Sequence, residues 1–319
     1  DSQSIDLFAL PIEETHECVY RSENAGVMHA CGHDAHAACL LGAAKILSEN
    51  RDAFSGKVRL VFQPGEEIGK GAKPFVAAGV LDGAERVFGL HTAYDLEAGT
   101  VGLKPGINNA AVDHFRIRVH GKSTHVSTPH LGVDALYIAS QIVVAVQGLV
   151  TRRTSPTEPV IIGIGKLNAG TTYNAVAAFA EMEGTTRTIS QESRDRVRAQ
   201  VSETAQSIAA LYGGTAEVEW TDFAAALVND PQVCREAAEV VDELLGEGHV
   251  VTDRELSLSG DNFAEFELYK PGAYAYLGTG NPDLPHTMIT NHNGGFDVDE
   301  NALVTGAGLY VGYTVARLG

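Results

Sequence analysis

The stretch VRLVFQPGEE, residues 58–67, predicts a buried strand that runs directly into a turn. Its first half is an apolar run interrupted only by Arg59, and the Gln-Pro-Gly that follows ends the strand. Residues 34–50 predict a helix rich in Ala and Leu, residues 71–83 a short helix, and residues 86–91 (RVFGLH) a second buried strand. Strands and helices that alternate at this spacing predict an α/β domain with a largely parallel sheet.

The middle of the chain follows a different pattern. Residues 113–121 alternate polar and apolar side chains, as a half-buried strand does. The segments after it predict a long amphipathic helix, two strands, a helix capped by Ser190 and a last strand, over residues 132–153, 158–167, 175–188, 190–214 and 215–220. This β-α-β-β-α-β order predicts a ferredoxin-like domain. We expect it to span residues 112–220, inserted into a catalytic domain of residues 1–111 and 221–319, where the α/β pattern resumes.

Composition restricts the classes of partner. The 319 residues include 41 acidic and 23 basic ones, which gives a net charge of −18. Nucleic acids and anionic membranes bind basic surfaces, so neither is an expected partner. We also expect no membrane-spanning segment, since no apolar run in the sequence reaches the usual length. A chain of this length can bury a core without a metal staple, so a bound metal would be catalytic rather than structural.

The cysteines and the N-terminus bear on location. The four cysteines include no CxxC pair and do not form the pattern of a disulfide scaffold, which predicts a reducing cytoplasm. The first residues, DSQSIDLFALPIEE, lack the basic start and long apolar middle of a signal peptide. They also lack an initiator Met, so we expect the chain to begin part-way into its domain.

Two motifs carry side chains of the metal-ligand type. In Cys31-Gly32-His33, Gly32 allows a turn that points a thiolate and an imidazole at one ion. Glu66 and Glu67 follow a buried strand, where adjacent carboxylates are costly unless a cation neutralises them. A solvated turn would also tolerate the pair. The functional interpretation is that one carboxylate binds metal while the other acts as general base.

Two histidines complete the set. His91 closes the predicted strand RVFGLH, and His292 lies in a Gly-rich loop before the last helix, although His286 nearby competes for the same role. Sites on parallel sheets lie beyond the carboxyl ends of the strands, which would bring these residues together. The sequence therefore predicts two divalent ions and leaves Glu66 free, with the ligands Cys31, His33, Glu67, His91 and His292. A thiolate ligand favours Zn, Mn, Co or Ni over Mg or Ca.

These residues lie within motifs that resemble a known family, the M20 metallopeptidases. Its order and spacing are matched by MHACGHDAHA, VFQPGEE, FGLH, GKSTHVSTPHLGVDA, NAGTTYNAV, GTTRT and NHNGGFDVDENAL. The chain is similar in particular to the subgroup of N-acyl-amino-acid amidohydrolases that includes hippurate hydrolases and auxin-conjugate hydrolases. The resemblance covers essentially the whole chain.

The resemblance implies roles that the residues alone do not fix. It implies hydrolysis of N-acyl amino acids, with Glu66 as the general base that activates water and then protonates the leaving amine. His125 would stabilise the oxyanion, often from the partner subunit, while Asn174 and Arg187 would hold the carboxylate of the substrate. The inserted domain would act as a lid and as the interface of a homodimer.

Three departures from the family keep alternatives open. The segment DLFALP retains Asp6 but has Phe8 where the family has a second Asp, and Asn262 also stands where an Asp is usual. We also expect the chain to lack a helix and a strand that precede this point in the family. A dipeptidase or carboxypeptidase of the same fold is one alternative, and a catalytically impaired homologue that still binds metal is another.

Overall fold

The chain divides into two compact units. The computed structural model describes residues 2–6, as backbone alone, and residues 9–319. The first unit comprises Asp1–Asn108, Leu227–Leu256 and Asp261–Gly319, and the second comprises Asn109–Ala226 and Ser257–Gly260. Phe8 and the side chain of Asp6 lie outside the described residues, so the structure does not bear on that departure.

Twelve strands and seven α-helices make up the described part of the chain. The strands are β1 Ser2–Asp6, β2 Arg59–Gln63, β3 Val87–Glu97, β4 Val101–Gly102, β5 Gly106–Asn109, β6 Ala111–His120, β7 Ile161–Ala169, β8 Phe179–Thr188, β9 Thr215–Ala224, β10 Leu227–Asn229, β11 Val250–Val251 and β12 Gly272–Gly280. The helices are α1 His33–Glu49, α2 Ala72–Ala77, α3 Ala135–Gly148, α4 Gln191–Leu211, α5 Pro231–Leu245, α6 Ala264–Glu267 and α7 Ala302–Leu318.

The first unit is built on a mostly parallel sheet with the strand order β11-β4-β12-β3-β1-β2. The neighbouring strands are parallel except for β12 and β4. Helices α1, α5 and α7 supply apolar side chains to the same core as the sheet, including Leu40, Leu309 and Tyr310 beside Phe88 and Leu277. Full burial of such a side chain stabilises the fold by about 1.5–3 kcal/mol. This core fixes the strands and leaves their ends to carry polar side chains.

The position of His91 differs from the sequence expectation. We expected His91 to close its strand, but β3 continues to Glu97 alongside β12. Residues 92–97, TAYDLE, contain polar side chains that hid the continuation, and the burial of β3 falls off only over its last four residues. His91 therefore lies inside a paired strand, where the backbone on both sides is held in register.

The second unit is a four-stranded antiparallel sheet covered by two helices. Its strand order is β7-β8-β6-β9, and its elements follow along the chain as β6-α3-β7-β8-α4-β9. Phe115 and Met182 from the central strands are fully buried with Ile142 of α3 and Val201 of α4. The Ser190 side chain accepts a hydrogen bond from Ser193 N–H at the start of α4, which is the predicted N-cap. Strand β9 runs four residues beyond the predicted end at Trp220.

One helix departs from the expectation about membranes. Over the described residues, the helical segment Ala135–Arg153 is long and apolar enough to cross a membrane by length and composition. The sequence expectation missed it because the segment has a mean hydropathy of only 1.3 and ends in two arginines. One side of this segment packs in the core of the second unit through Ile138, Ile142 and Val146, as the core helix of a globular domain does.

Candidate metal centre

The turn Cys31-Gly32-His33 places two candidate ligands at the start of α1. Gly32 has φ 81°, the left-handed conformation that glycine adopts without strain, and His33 begins the helix. A Cβ on Gly32 would lie 2.6 Å from Thr92 Oγ1 and 3.3 Å from the Phe296 ring. The turn therefore needs glycine both for its backbone conformation and for its close approach to β3.

Gly32→Ala is expected to destabilise the chain more than the same substitution at an ordinary left-handed glycine. A left-handed alanine costs about 1–2 kcal/mol, and here the contact with Thr92 adds to that cost. Gly83→Ala is the matched control, because Gly83 has φ 74° and a Cβ there would meet nothing within 4 Å. Chemical denaturation of both variants compares the losses. Equal losses would show that the fit around Gly32 is not tight.

The two glutamates lie in one turn of 3-10 helix, Glu66–Ile68, directly after β2. Gly65, with φ 80°, reverses the backbone before them. The Glu67 carboxylate is largely buried, and its Oε1 lies 3.3 Å from His292 Nε2 and 3.9 Å from His33 Nε2. Glu66 is buried as well, and its Oε1 accepts a hydrogen bond of 3.3 Å from the backbone N–H of Asn262.

His91 reaches the cluster with a defined tautomer. Its Nδ1–H donates to the carbonyl of Thr92 at 2.8 Å, which leaves Nε2 free to face Cys31 Sγ at 3.5 Å. Thr92 N–H in turn donates to His36 Nε2 at 2.9 Å. Burial, together with His91 and His33, lowers the pKa of His36 well below its usual value, so His36 stays neutral and accepts this bond. His36 thus supports the strand that carries His91.

His292 rather than His286 joins the cluster. Among the described non-glycine residues, His292 alone has a positive φ, at 62°, and its N–H donates to the carbonyl of Ala30 at 2.7 Å. This bond attaches the loop to the segment that carries Cys31. His286 lies instead with His16 and Asp297.

The structure brings the five predicted ligands into overlapping groups around Glu66 and Glu67. In each group one ligand atom per residue lies within 4.8 Å of the others. The three groups are Cys31 with His33 and His91, Cys31 with Glu67 and His292, and His33 with Glu66 and Glu67. Because the groups share members, the arrangement can hold two adjacent cations.

The chemistry of the cluster fits bound cations. Among the described residues, the buried Glu67 Oε1 has no hydrogen-bond partner, a costly state that a cation would relieve. Burial and the carboxylates of Glu67 and Glu66 raise the pKa of the Cys31 thiol well above its usual range. A cation would offset both the burial and this negative charge, and would favour the thiolate. The sulfur and imidazole donors suit a transition-series ion such as zinc.

Two contributors were not predicted from the sequence. Asn291 Nδ2 lies 3.5 Å from Cys31 Sγ and donates to the Cys31 carbonyl at 3.2 Å. The Thr92 hydroxyl donates to the same carbonyl at 3.3 Å. Each of these residues directly neighbours a predicted ligand, in TNHN and FGLHT, and that adjacency was the available signal.

Asn262, noted as a departure from the family, is fully buried beside Glu66. Its Oδ1 accepts a hydrogen bond of 2.6 Å from Gln63 Nε2, at the end of β2, and its backbone N–H contacts Glu66. The backbone contact does not depend on which side chain stands at this position.

The other predicted site residues lie in the second unit. His125 and Asn174 are exposed and belong to adjacent segments, because Val126 N–H donates to the Asn174 carbonyl at 3.1 Å. His125 Nδ1 accepts from Ser127 N–H at 3.2 Å, which leaves Nε2 to carry the ring proton. Arg187, on β8, is partly buried and donates to Thr186 O at 3.0 Å.

Comparisons with known proteins identify a metallopeptidase family over most of the chain. The model of peptidase family M20/M25/M40 matches residues 6–315. The chain is 40% identical to an N-acetyl-L-cysteine deacetylase of Bacillus subtilis, over 94% of this chain and 70% of the relative. It is 38% identical to a thermostable carboxypeptidase of Saccharolobus solfataricus, over 95% of this chain and 76% of the relative.

A solved structure agrees with the fold. It is a dinuclear metal binding peptidase from the M20 family of Bacillus subtilis, with a TM-score of 0.84 and 34% identity, covering 99% of this chain and 81% of that one. Family match, sequence relatives and fold coincide over nearly the whole chain. The chain therefore belongs to peptidase family M20/M25/M40 and is a metal-dependent hydrolase.

Proposed function

We propose that the chain is a two-metal amidohydrolase that cleaves the amide bond of N-acyl amino acids. The observation that carries this proposal is the group of five ligand-type side chains around the buried Glu67 Oε1, which has no hydrogen-bond partner among the described residues, with a second carboxylate, Glu66, beside it. The deacetylase among the relatives and the dinuclear neighbour support the substrate class and the two ions.

The ligands we propose are Cys31, His33, Glu67, His91 and His292. Two ions bound there would supply a lowered pKa for water, near 7, and positive charge for the carbonyl oxygen of the substrate. Adding back Zn, Mn, Co or Ni to the metal-free protein decides which ion supports turnover.

Glu66 is the proposed proton carrier. It takes a proton from the attacking water and later delivers it to the leaving nitrogen, so that the amine departs neutral. Burial keeps bulk water away from this carboxylate, and the Asn262 N–H fixes the orientation of Oε1. The contact comes from the backbone, so Asn262 in place of an Asp is compatible with this role.

His125 is proposed to stabilise the oxyanion. Its Nδ1 accepts the Ser127 N–H, so Nε2–H is the available donor, and an N–H donor is what an oxyanion needs. The assignment of this role to His125 follows the family resemblance.

Arg187 and Asn174 are proposed to bind the carboxylate of the substrate. Among the described residues the Arg187 guanidinium forms no ion pair, although it is partly buried, so its charge is available for an anion. A guanidinium matches a carboxylate with two parallel hydrogen bonds, which a lysine cannot reproduce. Asn174 can add a neutral amide donor.

Arg187→Lys is expected to raise KM for N-acyl amino acids by about 10–100-fold, because a charge-assisted hydrogen bond contributes about 1.5–3 kcal/mol. Arg118→Lys is the control, since Arg118 lies in the same sheet but is paired with Glu181 and Glu219. Steady-state kinetics with N-acetyl-Met measures both. An unchanged KM for Arg187→Lys would remove Arg187 from the substrate site.

One matched pair of substrates tests the function and its closest rival. N-acetyl-Met and Gly-Met differ only in a free amine, and hippurate tests an aromatic acyl group. The assay adds back Mn, Co, Ni or Zn and counts bound ions in parallel. We expect at least two ions per chain and a higher kcat/KM for N-acetyl-Met than for Gly-Met. The reverse preference would favour the dipeptidase or carboxypeptidase alternative, which the carboxypeptidase relative supports. Two bound ions without turnover of any substrate would indicate the impaired homologue.

A homodimer through the second unit is also proposed. The outward side of α3 exposes Leu136, Tyr137 and Val144, and Tyr212 packs edge-on against Tyr137 with ring centroids 5.0 Å apart. Strand β7 is an edge strand of the sheet with Ile161 and Leu167 exposed. Exposed apolar side chains on a helix and on an edge strand can serve as interaction surfaces.

Val144→Glu is expected to convert the dimer to a monomer, because Val144 is 70% exposed on the outward side of α3. Val304→Glu is the matched control, a valine 78% exposed on helix α7 of the first unit. Light scattering after size-exclusion chromatography gives the masses. A monomeric parent chain, or a dimer that survives Val144→Glu, would contradict this interface.

We also propose that the chain is located in the cytoplasm. All four cysteines are free thiols in the described structure, which supports the reducing cytoplasm.

A further inference from the structure

A second group of metal-ligand side chains lies in the first unit. It shares no residue with the Glu67 cluster, by which we mean Cys31, His33, Glu66, Glu67, His91 and His292. It consists of His16, His286 and Asp297, whose ligand atoms all lie within 4.8 Å of one another. His16 Nε2 is 2.8 Å and His286 Nε2 is 3.7 Å from the same atom, Asp297 Oδ2. The two imidazole rings are stacked with centroids 4.8 Å apart, so both nitrogens face one carboxylate oxygen.

The carboxylate is oriented for this contact. Asp297 Oδ1 accepts the Val298 N–H at 2.8 Å, and the Tyr20 hydroxyl lies 3.1 Å from Oδ1 and 3.3 Å from Oδ2. Asp297 is 8% exposed, whereas His16 is 21% and His286 37% exposed. The carboxylate is therefore held at the base of the group, and the histidines form its accessible side.

The backbone around the group is fixed on both sides. Thr15 N–H and His16 N–H both donate to the Gly294 carbonyl, at 2.7 and 3.3 Å. His286 lies on the 3-10 turn Pro285–Met288, where the fully buried Thr287 accepts the Asn281 N–H at 2.8 Å. The histidines are therefore presented by segments whose backbone is already tied down.

We propose that His16, His286 and Asp297 form a third metal site, which binds one transition-series divalent cation such as zinc. Two ligands about 2.1 Å from a tetrahedral ion are about 3.4 Å apart. The observed 2.8 and 3.7 Å lie on either side of that separation, so shifts of about half an ångström in side chains would suffice. Two imidazoles and one carboxylate suit zinc, and water can take the fourth position.

The site would act as a structural clamp. It joins the segment at His16 to the loop that continues from His292 to Asp297, and this loop carries one ligand of the Glu67 cluster. The inference does not depend on the proposed function, because neither Glu66 nor any proposed ligand of the other cluster takes part.

Calorimetric titration with Zn²⁺ tests the site in the Cys31→Ala, Glu67→Gln double variant, which removes at least one ligand from each of the three groups in the Glu67 cluster. We expect one ion to bind, and binding to weaken at least about 100-fold when His286→Ala or His16→Gln is added, since even indirect supports of a metal contribute 10–100-fold. Adding His130→Ala, an exposed histidine outside both clusters, should change nothing. No binding in the double variant, or equal binding after His286→Ala, would show that the group is only a hydrogen-bonded carboxylate.

A count of zinc in the otherwise unaltered chain keeps the test decisive if the double variant does not fold. Three ions per chain should fall to two with His286→Ala and remain three with His130→Ala. The same count in both variants would overturn the site. Absence of amidase activity in the parent chain would leave the difference between these counts unchanged, so the two proposals fail independently.

Discussion

Glu66→Gln is expected to lower kcat by about 10²–10⁴-fold while both metal ions remain bound. This is the range that a positioned general acid–base group contributes. Glutamine keeps the shape of the side chain, and its amide oxygen can still accept the Asn262 N–H, so the turn Glu66–Ile68 should persist. What the variant lacks is a group that can carry a proton between water and the leaving nitrogen.

The measurement is kcat for N-acetyl-Met together with the metal count of the same sample. Glu265→Gln is the matched control, because Glu265 is 6% exposed, close to the 8% of Glu66, and pairs with Lys73 at 3.9 Å. It should keep kcat within a few fold. Full activity of Glu66→Gln with metal bound would disprove the proton role, while loss of both metal and activity would show that Glu66 is a ligand instead.

The sequence predicted what local patterns determine. The turn at Gly32, the helix that follows it, strand β2 and the Ser190 cap each depend on a few neighbouring residues. The alternation of elements in the first unit likewise predicts its mostly parallel sheet, in which the residues after β2 can meet side chains from β3. Patterns of this kind act over one or two turns of chain, which is why they can be read without a structure.

What the sequence could not resolve depends on tertiary contacts. The choice between His292 and His286 is made by the hydrogen bond from His292 N–H to Ala30 O, between residues far apart in sequence. The support of Glu66 by Asn262 is a backbone contact, so the identity of that side chain carried no signal. The group of His16, His286 and Asp297 joins residues about 280 positions apart and matches no short motif.

Glu67→Gln is expected to abolish the stabilisation that metal ions give, without destabilising the metal-free chain. In the metal-free chain the buried Glu67 Oε1 has no hydrogen-bond partner among the described residues, and the neutral amide avoids the cost of burying a charge there. The melting temperature without metal should therefore stay the same or rise.

The rise in Tm on adding metal should distinguish the parent chain from Glu67→Gln clearly. An ion at 100 times its Kd stabilises the parent chain by about 2.7 kcal/mol, which corresponds to a rise of several degrees in Tm. Glu67 belongs to two of the overlapping groups, so Glu67→Gln weakens the binding of both ions and should show little or no rise. Calorimetric scans at pH 8 with and without Zn²⁺ measure both quantities, with His286→Ala present in both proteins so that the His16, His286 and Asp297 group does not contribute.

Asp299→Asn is the control, because its expected effect on Tm without metal has the opposite sign to that of Glu67→Gln. Burial alone would raise the pKa of Asp299, but the hydrogen bonds from Asn281 and Asn301 hold it below its usual value. A carboxylate whose folded pKa is lowered stabilises the fold at every pH above its unfolded pKa. Asp299→Asn should therefore lower Tm at pH 8 and keep the rise with Zn²⁺. If Zn²⁺ raised the Tm of Glu67→Gln as much as that of the parent chain, the ions would bind without the Glu67 carboxylate that the two ligand groups share.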